Sequence, residues 1–487
     1  MKRHQHLRLM LPLVACFLLA CSLFQREATT EAQQNEQATR VAQSIAATLT
    51  AQAAPAQASI SSITPTPQSQ TALSAAEIFA RISPSVAYIE TPTGTGSGVF
   101  IEGGYLLTNA HVLWPFESVR LVFPNGTEFI DAPVFKTDLM VDLALIGPLE
   151  TGIPALSLAD GEALPVGSSA YLIGYPGEVE AFPQPAIAGG LISRIRQWPA
   201  ADITYFQTDA AIAGGQSGGV LVSDSGQVIG LSGFFFAEMG FALSASSADL
   251  SGRVARLIQG DDMSGLGERH ISTSGGQREQ TIILSNVWDT AGYVLDAPPG
   301  SDVEITVDSE ADIEFVVADA FGDNILAIDD IDGVGAESGA FTTELEAPYF
   351  LFVRHFEPDD QALQIFSNYG LAPYQDVDDG TEVAIGETVA ASIDYPGDID
   401  YFILNLDAGE TVEVVVDSVM IDPFLTLDYP EATIDDILSN DDDGGGLFGL
   451  NAALTFTAPQ RESYFLIVDD SPGRDFGGYF LVVRRVE

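Results

Sequence analysis

Short apolar or alternating runs, separated by Gly, Pro and Asn turns, dominate the chain between residues 76 and 260. They include GSGVFI, GYLLTNAHVL, SVRLVF, DLALI, SSAYLIGY, TYFQTDAA, GGVLVSD and GQVIGLSGF. Runs of this length and periodicity predict β-strands. Two helical patterns, AAEIFARI and ADLSGRVARLIQG, stand near the two ends of the block. So many short strands indicate a barrel or sandwich architecture.

Two further strand-rich blocks follow a Gly/Ser-rich linker, and they repeat each other. YVLDAPPGSDVEITVD from Tyr293 aligns without a gap with FILNLDAGETVEVVVD from Phe402. Gly300 and Gly409 occupy the same turn, where a positive φ is expected. The predicted domains are the first block (76–260), the linker (261–276) and two tandem β domains (277–370 and 376–487).

The N-terminus has the pattern of an export signal. A basic start, MKRHQHLR, precedes an apolar run too short to span a bilayer core of roughly 30 Å. The run ends in LLAC, which resembles a bacterial lipoprotein signal; the resemblance implies removal of residues 1–20 and lipid attachment to Cys21. An ordinary signal peptide that holds a cysteine is the alternative. The Ala/Gln/Thr/Pro-rich residues 21–75 are predicted to form a tether.

Charge and cysteine content narrow the possible functions. The formal net charge of −50 argues against nucleic-acid binding, because phosphates would be repelled. Both cysteines, Cys16 and Cys21, lie near the N-terminus, so the later domains have no disulfide framework. No motif indicates a metal or another cofactor, and none is expected.

His111 is the only histidine between residues 76 and 260. If this block performs acid–base chemistry through an imidazole, His111 is therefore the single candidate. A lone histidine is more often structural, so this position needs support from elsewhere. His270 and His355 fall in the linker and in the first repeat.

Ser217 provides that support, because GGQSGGVLV brackets one hydroxyl with glycines. Glycines allow close approach to a substrate, and the amides of Gly215 and Ser217 are predicted to form an oxyanion hole. A Gly-rich turn without function is the alternative. The string also fits the GxSxG elbow of α/β-hydrolases, but a strand follows it rather than a helix, and the later histidines are poorly placed.

The order His, Asp, Ser is that of trypsin-like proteases. ISPSVAYIE, GTGSGVFI, GYLLTNAHV, DLALI and QTDAAIAGGQSGG closely resemble successive motifs of HtrA/Deg-type proteases. The resemblance covers about a third of the chain. It implies two perpendicular β-barrels, with His111 and Asp142 in the first, Ser217 in the second and a cleft between them. The predicted fold class is thus all-β, a two-barrel trypsin-like domain followed by two β-sandwich or jelly-roll-like domains.

The remaining site residues follow from the same resemblance. Asp142 in DLALI carries the family match, and Asp138 is taken as a surface residue. Ala211 is placed by analogy at the floor of the specificity pocket, where an uncharged group favours small or medium aliphatic side chains. Gln216 stands where zymogen-type trypsins carry Asp, so activation by an inserted N-terminus is not expected. No PDZ domain follows.

The last block resembles the bacterial pre-peptidase C-terminal (PPC) domain through GDIDYFILNLDAGETVEV, DPFLTL, YFLIVDD and GGYFLVV. The resemblance implies an accessory β domain, and the preceding repeat is taken as a degenerate copy. Asp441, Asp442 and Asp443 offer oxygen ligands for Ca²⁺, but a solvated acidic turn is favoured because no full ligand spacing is evident.

The sequence therefore predicts a lipid-anchored serine endopeptidase of the bacterial cell envelope, outside the cytoplasm. It would act on proteins or peptides and contact the membrane through Cys21. An inactive protease-like lipoprotein that binds partners through its C-terminal domains is the alternative. Oligomeric state is left open.

Overall fold

The first block folds into two closed six-stranded barrels, as the resemblance to trypsin-like proteases implies. In the first barrel the strand order is β1-β2-β3-β6-β5-β4. Its strands are β1 (Val86–Glu90), β2 (Thr95–Ile101), β3 (Tyr105–Thr108), β4 (Ser118–Val122), β5 (Glu128–Asp138) and β6 (Leu143–Ile146).

The second barrel has the order β10-β11-β12-β9-β8-β7. Its strands are β7 (Ser169–Gly174), β8 (Ala186–Trp198), β9 (Ile203–Thr208), β10 (Val220–Ser223), β11 (Val228–Phe236) and β12 (Phe241–Ser246). With these barrels and the sheets that follow them, the predicted fold class is confirmed.

This computed structural model describes residues 72–486 apart from 159–163, 178–182, 237–240, 261–271, 273, 330–334, 358, 375, 377, 430–436, 441–443, 472 and 474. Cys21, the predicted tether up to residue 71, His270 and the Asp441–Asp443 run lie outside the described residues. In the described part, no helix is long and apolar enough to cross a membrane.

Helices occupy the predicted ends of the block. Those at the ends are α1 (Ala75–Ile82) and α3 (Ser247–Ile258), and a single turn of helix, α2 (Ala110–Leu113), lies between β3 and β4. A capping box fixes the start of α1, since the Ser74 hydroxyl accepts from the amide of Glu77 while the Glu77 carboxylate accepts from the amide of Ser74.

The two barrels share an apolar core. Tyr88 of β1 and Tyr175, just after β7, meet edge to face with ring centroids 5.6 Å apart. The Tyr175 hydroxyl also donates to the carbonyl of Val86, at 3.3 Å. Aromatic packing of this kind restricts movement of the facing barrel walls relative to each other. It therefore also restricts the positions of side chains in the groove between them.

Asp138 is not the surface residue that the sequence suggested. It is fully buried at the end of β5, and its Oδ2 accepts from Nη1 of Arg253 on α3 at 2.8 Å. Desolvation raises the pKa of Asp138 despite the opposing charge of Arg253. The prediction was wrong because Arg253 lies 115 residues away in sequence, so no local pattern announces the ion pair.

The first repeat forms one hydrogen-bonded network of eight strands. They are β13 (Gln277–Leu284), β14 (Ala291–Leu295), β15 (Asp302–Ser309), β16 (Ile313–Ala318), β17 (Asn324–Ile328), β18 (Glu337–Thr342), β19 (Tyr349–His355) and β20 (Gln361–Tyr374). The long β20 pairs with β13, β14 and β15. It therefore links β15 and β18 to the other strands of the network.

The second repeat forms a five-stranded and a four-stranded sheet, ordered β21-β23-β28-β25-β26 and β22-β29-β24-β27. The strands are β21 (Thr381–Val383), β22 (Thr388–Ile393), β23 (Ile399–Leu406), β24 (Thr411–Ser418), β25 (Pro423–Asp428), β26 (Leu438–Asn440), β27 (Ala452–Thr457), β28 (Glu462–Asp470) and β29 (Gly477–Arg485).

The repeat seen in sequence is also a repeat of strand pairing. In the first copy β14 pairs with β19 and β15 with β20; in the second, β23 pairs with β28 and β24 with β29. Gly300 and Gly409 have φ of +81° and +84°, as their shared turn requires. The repeat relationship is therefore confirmed, while the domain boundaries stay a prediction.

Both repeats contact the barrels through aromatic side chains. Trp114, directly after α2, stacks on Phe350 of the first repeat and packs against Phe476 of the second, with ring centroids 5.2 and 4.9 Å apart. On the second barrel, Trp198 Nε1 donates to Asp417 Oδ1 at 3.0 Å. The C-terminal sheets thus pack against the barrels close to the segment that carries His111.

Candidate active site

His111 and Asp142 are brought together by neighbouring strands of the first barrel. His111 lies on α2, just after β3, and Asp142 directly precedes β6. Because β3 and β6 pair with Thr108 opposite Ala144, the end of one strand meets the start of the other. The imidazole Nδ1 lies 2.7 Å from Asp142 Oδ2, and the backbone amide of His111 donates to Asp142 Oδ1 at 3.0 Å.

Asp142 is held in one orientation. It is 1% exposed and takes a left-handed backbone conformation with φ of +55°, which is uncommon except for Asn, Asp and Gly. Asn109 Nδ2 donates to its carbonyl oxygen at 2.9 Å. Both carboxylate oxygens therefore face His111. Sequence reasoning missed Asn109, although it stands two residues before the histidine in TNAHV.

This geometry sets the tautomer of His111. With Nδ1 donating to the carboxylate, Nε2 is left as the acceptor, as general-base catalysis requires. Desolvation by the surrounding protein lowers the pKa of His111, but the charge and hydrogen bond of Asp142, with a smaller contribution from Asp475, outweigh it and the pKa is raised. The side chain stays 39% exposed, so a substrate can reach it.

The loop of Ser217 crosses from the second barrel to the first. A Cβ atom at Gly218, whose φ is +79°, would lie 2.0 Å from the carbonyl oxygen of Ser97 and 2.3 Å from Oγ1 of Thr108. The amide of Ser97 also donates to the carbonyl of Ser217, at 2.8 Å. Ser97 and Thr108 lie on β2 and β3, so the loop is seated beside the strand that leads to His111.

Two polar side chains hold the Ser217 loop in place through hydrogen bonds to its backbone. Gln216 is buried, and its Oε1 accepts from the amide of Ala213 at 2.7 Å. The Ser97 hydroxyl donates to the carbonyl of Gly215 and accepts from the amide of Tyr175, both at 2.8 Å. Gln216 thus fixes the loop with a neutral hydrogen bond, while Ser97, 118 residues from Gly215, was not found from sequence.

The proposed oxyanion and pocket residues lie on the same loop. The amide of Gln216, which stands between Gly215 and Ser217 in sequence, donates to the carbonyl of Ala213 at 3.3 Å. Gly215 has φ of +85°, and a Cβ there would meet Gly177 at 2.7 Å, so only glycine fits. Ala211 is exposed, six residues before Ser217.

His355 has a different environment. It is fully buried in the first repeat, with Nε2 3.2 Å from the carbonyl of Leu284, and desolvation lowers its pKa. It takes no part in the groove that holds His111.

A known protein family matches the part of the chain that forms this site. Residues 96–231 match the family described as the trypsin-like peptidase domain. This range contains His111, Asp142 and the whole Ser217 loop, and it is called the matched segment below.

Curated relatives of the matched segment include proteins named as serine proteases of the HtrA and DegP type. Serine protease HTR4 from Rattus norvegicus is 32% identical over 175 residues, which cover 32% of this chain and 35% of the relative. A probable periplasmic serine endoprotease, DegP-like, from Halomonas elongata is 29% identical over 231 residues, covering 44% and 48%. The putative serine protease HhoA from Synechocystis sp. is 33% identical over 184 residues, covering 35% and 45%.

The chain thus spans about a third to a half of the length of these relatives. Among solved structures, the serine endoprotease from Yersinia pestis is 26% identical with a TM-score of 0.34, covering 40% of this chain and 68% of that one.

Proposed function

We propose that this protein is a serine endopeptidase that hydrolyses peptide bonds through an acyl-enzyme, with His111, Asp142 and Ser217 as its catalytic residues. The observation that carries the proposal is the buried carboxylate of Asp142 holding Nδ1 of His111 at 2.7 Å, next to the strand against which the Ser217 loop is seated. The names of the HtrA- and DegP-type relatives support the same class of activity.

The proposed reaction uses these three residues in turn. His111 Nε2 accepts the proton of the Ser217 hydroxyl as its oxygen attacks the substrate carbonyl, and Asp142 stabilises the imidazolium that forms. The amides of Gly215 and Ser217 donate to the developing oxyanion. Loss of one such donor raises the barrier by about 3–4 kcal/mol. His111 then protonates the leaving amine, and water hydrolyses the ester.

Specificity in this proposal is set by Ala211. A methyl group at the pocket floor leaves no partner for a charged side chain, which would be desolvated unpaired. Cleavage after small or medium aliphatic residues is expected.

The proposal places the protein outside the cytoplasm, anchored by lipid on Cys21. The LLAC sequence supports the anchor, and the periplasmic label of the Halomonas relative supports the location. The PPC-like repeats, in this proposal, bind substrate or surface close to the groove, which agrees with the packing of Phe350 and Phe476 on Trp114.

A fluorophosphonate probe tests the proposal directly. The folded chain is expected to be labelled on Ser217, identified by mass spectrometry, while Ser217→Ala and the heat-unfolded chain stay unlabelled. An added unfolded protein should be cut, mainly after aliphatic residues. Equal labelling of the Ser217→Ala variant, or no labelling of the folded chain, would instead favour the inactive scaffold.

The pH profile should depend on Asp475. Activity requires neutral His111, so it falls as pH drops through the pKa of that imidazole. The negative charge of Asp475 helps to raise this pKa. Asp475→Asn is therefore expected to move the acid limb of kcat/KM to lower pH while the plateau at neutral pH remains.

Asp296→Asn is the matched control for the prediction on Asp475, because it removes one exposed carboxylate from the first repeat. This control tests whether the acid limb of the kcat/KM profile responds to the overall charge of −50 rather than to Asp475. An acid limb that stays in place in Asp475→Asn, or moves equally in both variants, would contradict the assigned effect.

A further inference from the structure

A group of aspartates lies at the junction between the two C-terminal repeats. Asp376, Asp398 and Asp400 each place one ligand oxygen so that the oxygens lie within 4.8 Å of one another. Asp398 is 2% exposed and Asp400 is fully buried. Asp376 lies between β20 and β21, and Asp400 lies on β23, so the group joins the end of one repeat to the start of the next.

Asp400 supplies an observation that the cluster alone does not. Its Oδ2 accepts from the Tyr479 hydroxyl, and its Oδ1, which is also inside the protein, has no hydrogen-bond donor among the described residues. An ionised carboxylate without a full set of partners is strongly unfavourable in a protein interior. A positive charge next to Asp400 Oδ1 would stabilise the ionised carboxylate.

The neighbouring members of the cluster add negative charge instead. Asp376 and Asp398 each bring a carboxylate oxygen within 4.8 Å of an Asp400 oxygen, and like charges at this distance repel each other. A group of this kind is neutralised either by protons or by a bound cation.

Comparison of the two repeats shows that Asp398 has a structural role common to both copies, whereas Asp400 is an additional carboxylate of the second copy. Asp398 Oδ2 accepts from the amide of Asp394 at 2.7 Å, and at the equivalent place in the first repeat Asp289 Oδ2 accepts from the amide of Ser285 at 2.8 Å. This turn is thus common to both copies. The ungapped alignment places Ala291 opposite Asp400. The repeat therefore folds without a carboxylate at that position, and Asp400 is free to serve another purpose.

We propose that Asp376, Asp398 and Asp400 bind a divalent cation, and that Ca²⁺ is the metal that fits. Carboxylate oxygens suit hard cations. Ca²⁺ accepts six to eight oxygens in flexible geometry, whereas Mg²⁺ holds several waters in a strict octahedron. The proposed ligands are other residues than those of the Asp441–Asp443 run, and the site does not depend on proteolytic activity.

Terbium luminescence tests the site, because Tyr479 contacts Asp400 and Tyr401 adjoins it in sequence, and tyrosine sensitises Tb³⁺ emission. The full chain carrying Ser217→Ala, which suppresses self-cleavage, is stripped with EDTA and titrated with Tb³⁺ at physiological salt. We expect saturable emission that Ca²⁺ displaces with a dissociation constant on the order of 10⁻⁴ to 10⁻³ M. Mg²⁺ at equal concentration should displace far less.

Substitutions assign the signal to this group. Asp398→Asn and Asp400→Asn are each expected to weaken Tb³⁺ and Ca²⁺ binding at least tenfold, whereas Asp442→Asn in the other acidic run should leave it unchanged. Asp400→Ala, which copies the first repeat, serves if the isosteric variant does not fold. Saturating Ca²⁺ should raise the unfolding midpoint on the order of 5 °C, an increase that the two variants lose.

Two results would overturn the proposal. One is Tb³⁺ emission that survives both substitutions or falls equally with Asp442→Asn. The other is an unfolding midpoint that Ca²⁺ does not change. Neither readout involves peptide cleavage, so an inactive groove would leave this test intact.

Discussion

Ser217→Ala is expected to lower kcat for peptide hydrolysis by about 10⁶-fold, the scale typical of losing the nucleophile from a Ser-His-Asp site. Binding should survive, because the loop is held by backbone contacts to Ser97 and by the Gln216 side chain rather than by the hydroxyl. The measurement is steady-state hydrolysis of a chromogenic peptide with an aliphatic residue before the cleaved bond.

A double substitution makes this prediction sharper. If His111 serves only to activate Ser217, Ser217→Ala and His111→Ala should each cost about the same, and the double variant should be no slower than either. Ser251→Ala, an exposed serine on α3, is the matched control and should keep full activity. Additive losses would mean that the two side chains do not act as a unit.

Asp142→Asn is expected to reduce kcat by about 10⁴-fold without disturbing the fold. Asn accepts the left-handed backbone at this position, where φ is +55°. Its carbonyl oxygen can still accept from the amide of His111, which leaves the side-chain NH₂ facing Nδ1. The imidazole must then carry its proton on Nε2, where it can no longer accept one from Ser217.

Asp131→Asn is the control for the Asp142 variant, because it makes the same chemical change at an exposed position on β5. Its activity should match that of the parent chain. A loss of less than about tenfold in Asp142→Asn, with an unchanged unfolding midpoint, would show that another group orients the histidine.

Local sequence patterns predicted most of the fold. The apolar runs became strands, AAEIFARI became α1, and the turn glycines of the repeats have the positive φ that was expected. The single turn of helix that carries His111 was not predicted. These features depend on neighbours a few residues apart, and short-range periodicity and turn chemistry record such contacts.

The chemistry of the groove was predictable in part. His111 stood out as the single histidine of its block, and Ser217 by its glycines. Asp142 needed a family resemblance, because acidic residues are so common here that composition cannot choose among them. Asp138, four residues earlier, looked no different in sequence and proved to be a buried partner of Arg253.

What the sequence by itself determined was therefore the strand content, the repeat, and which residue types were available for catalysis. Only the tertiary structure decided which groups meet: Ser97 under the Ser217 loop, Asp475 near His111, and three carboxylates at the junction of the repeats. The reason is physical. These contacts join residues tens to hundreds of positions apart, and their energies come from burial and from charges brought close by barrel closure and sheet packing, which short-range sequence patterns do not encode.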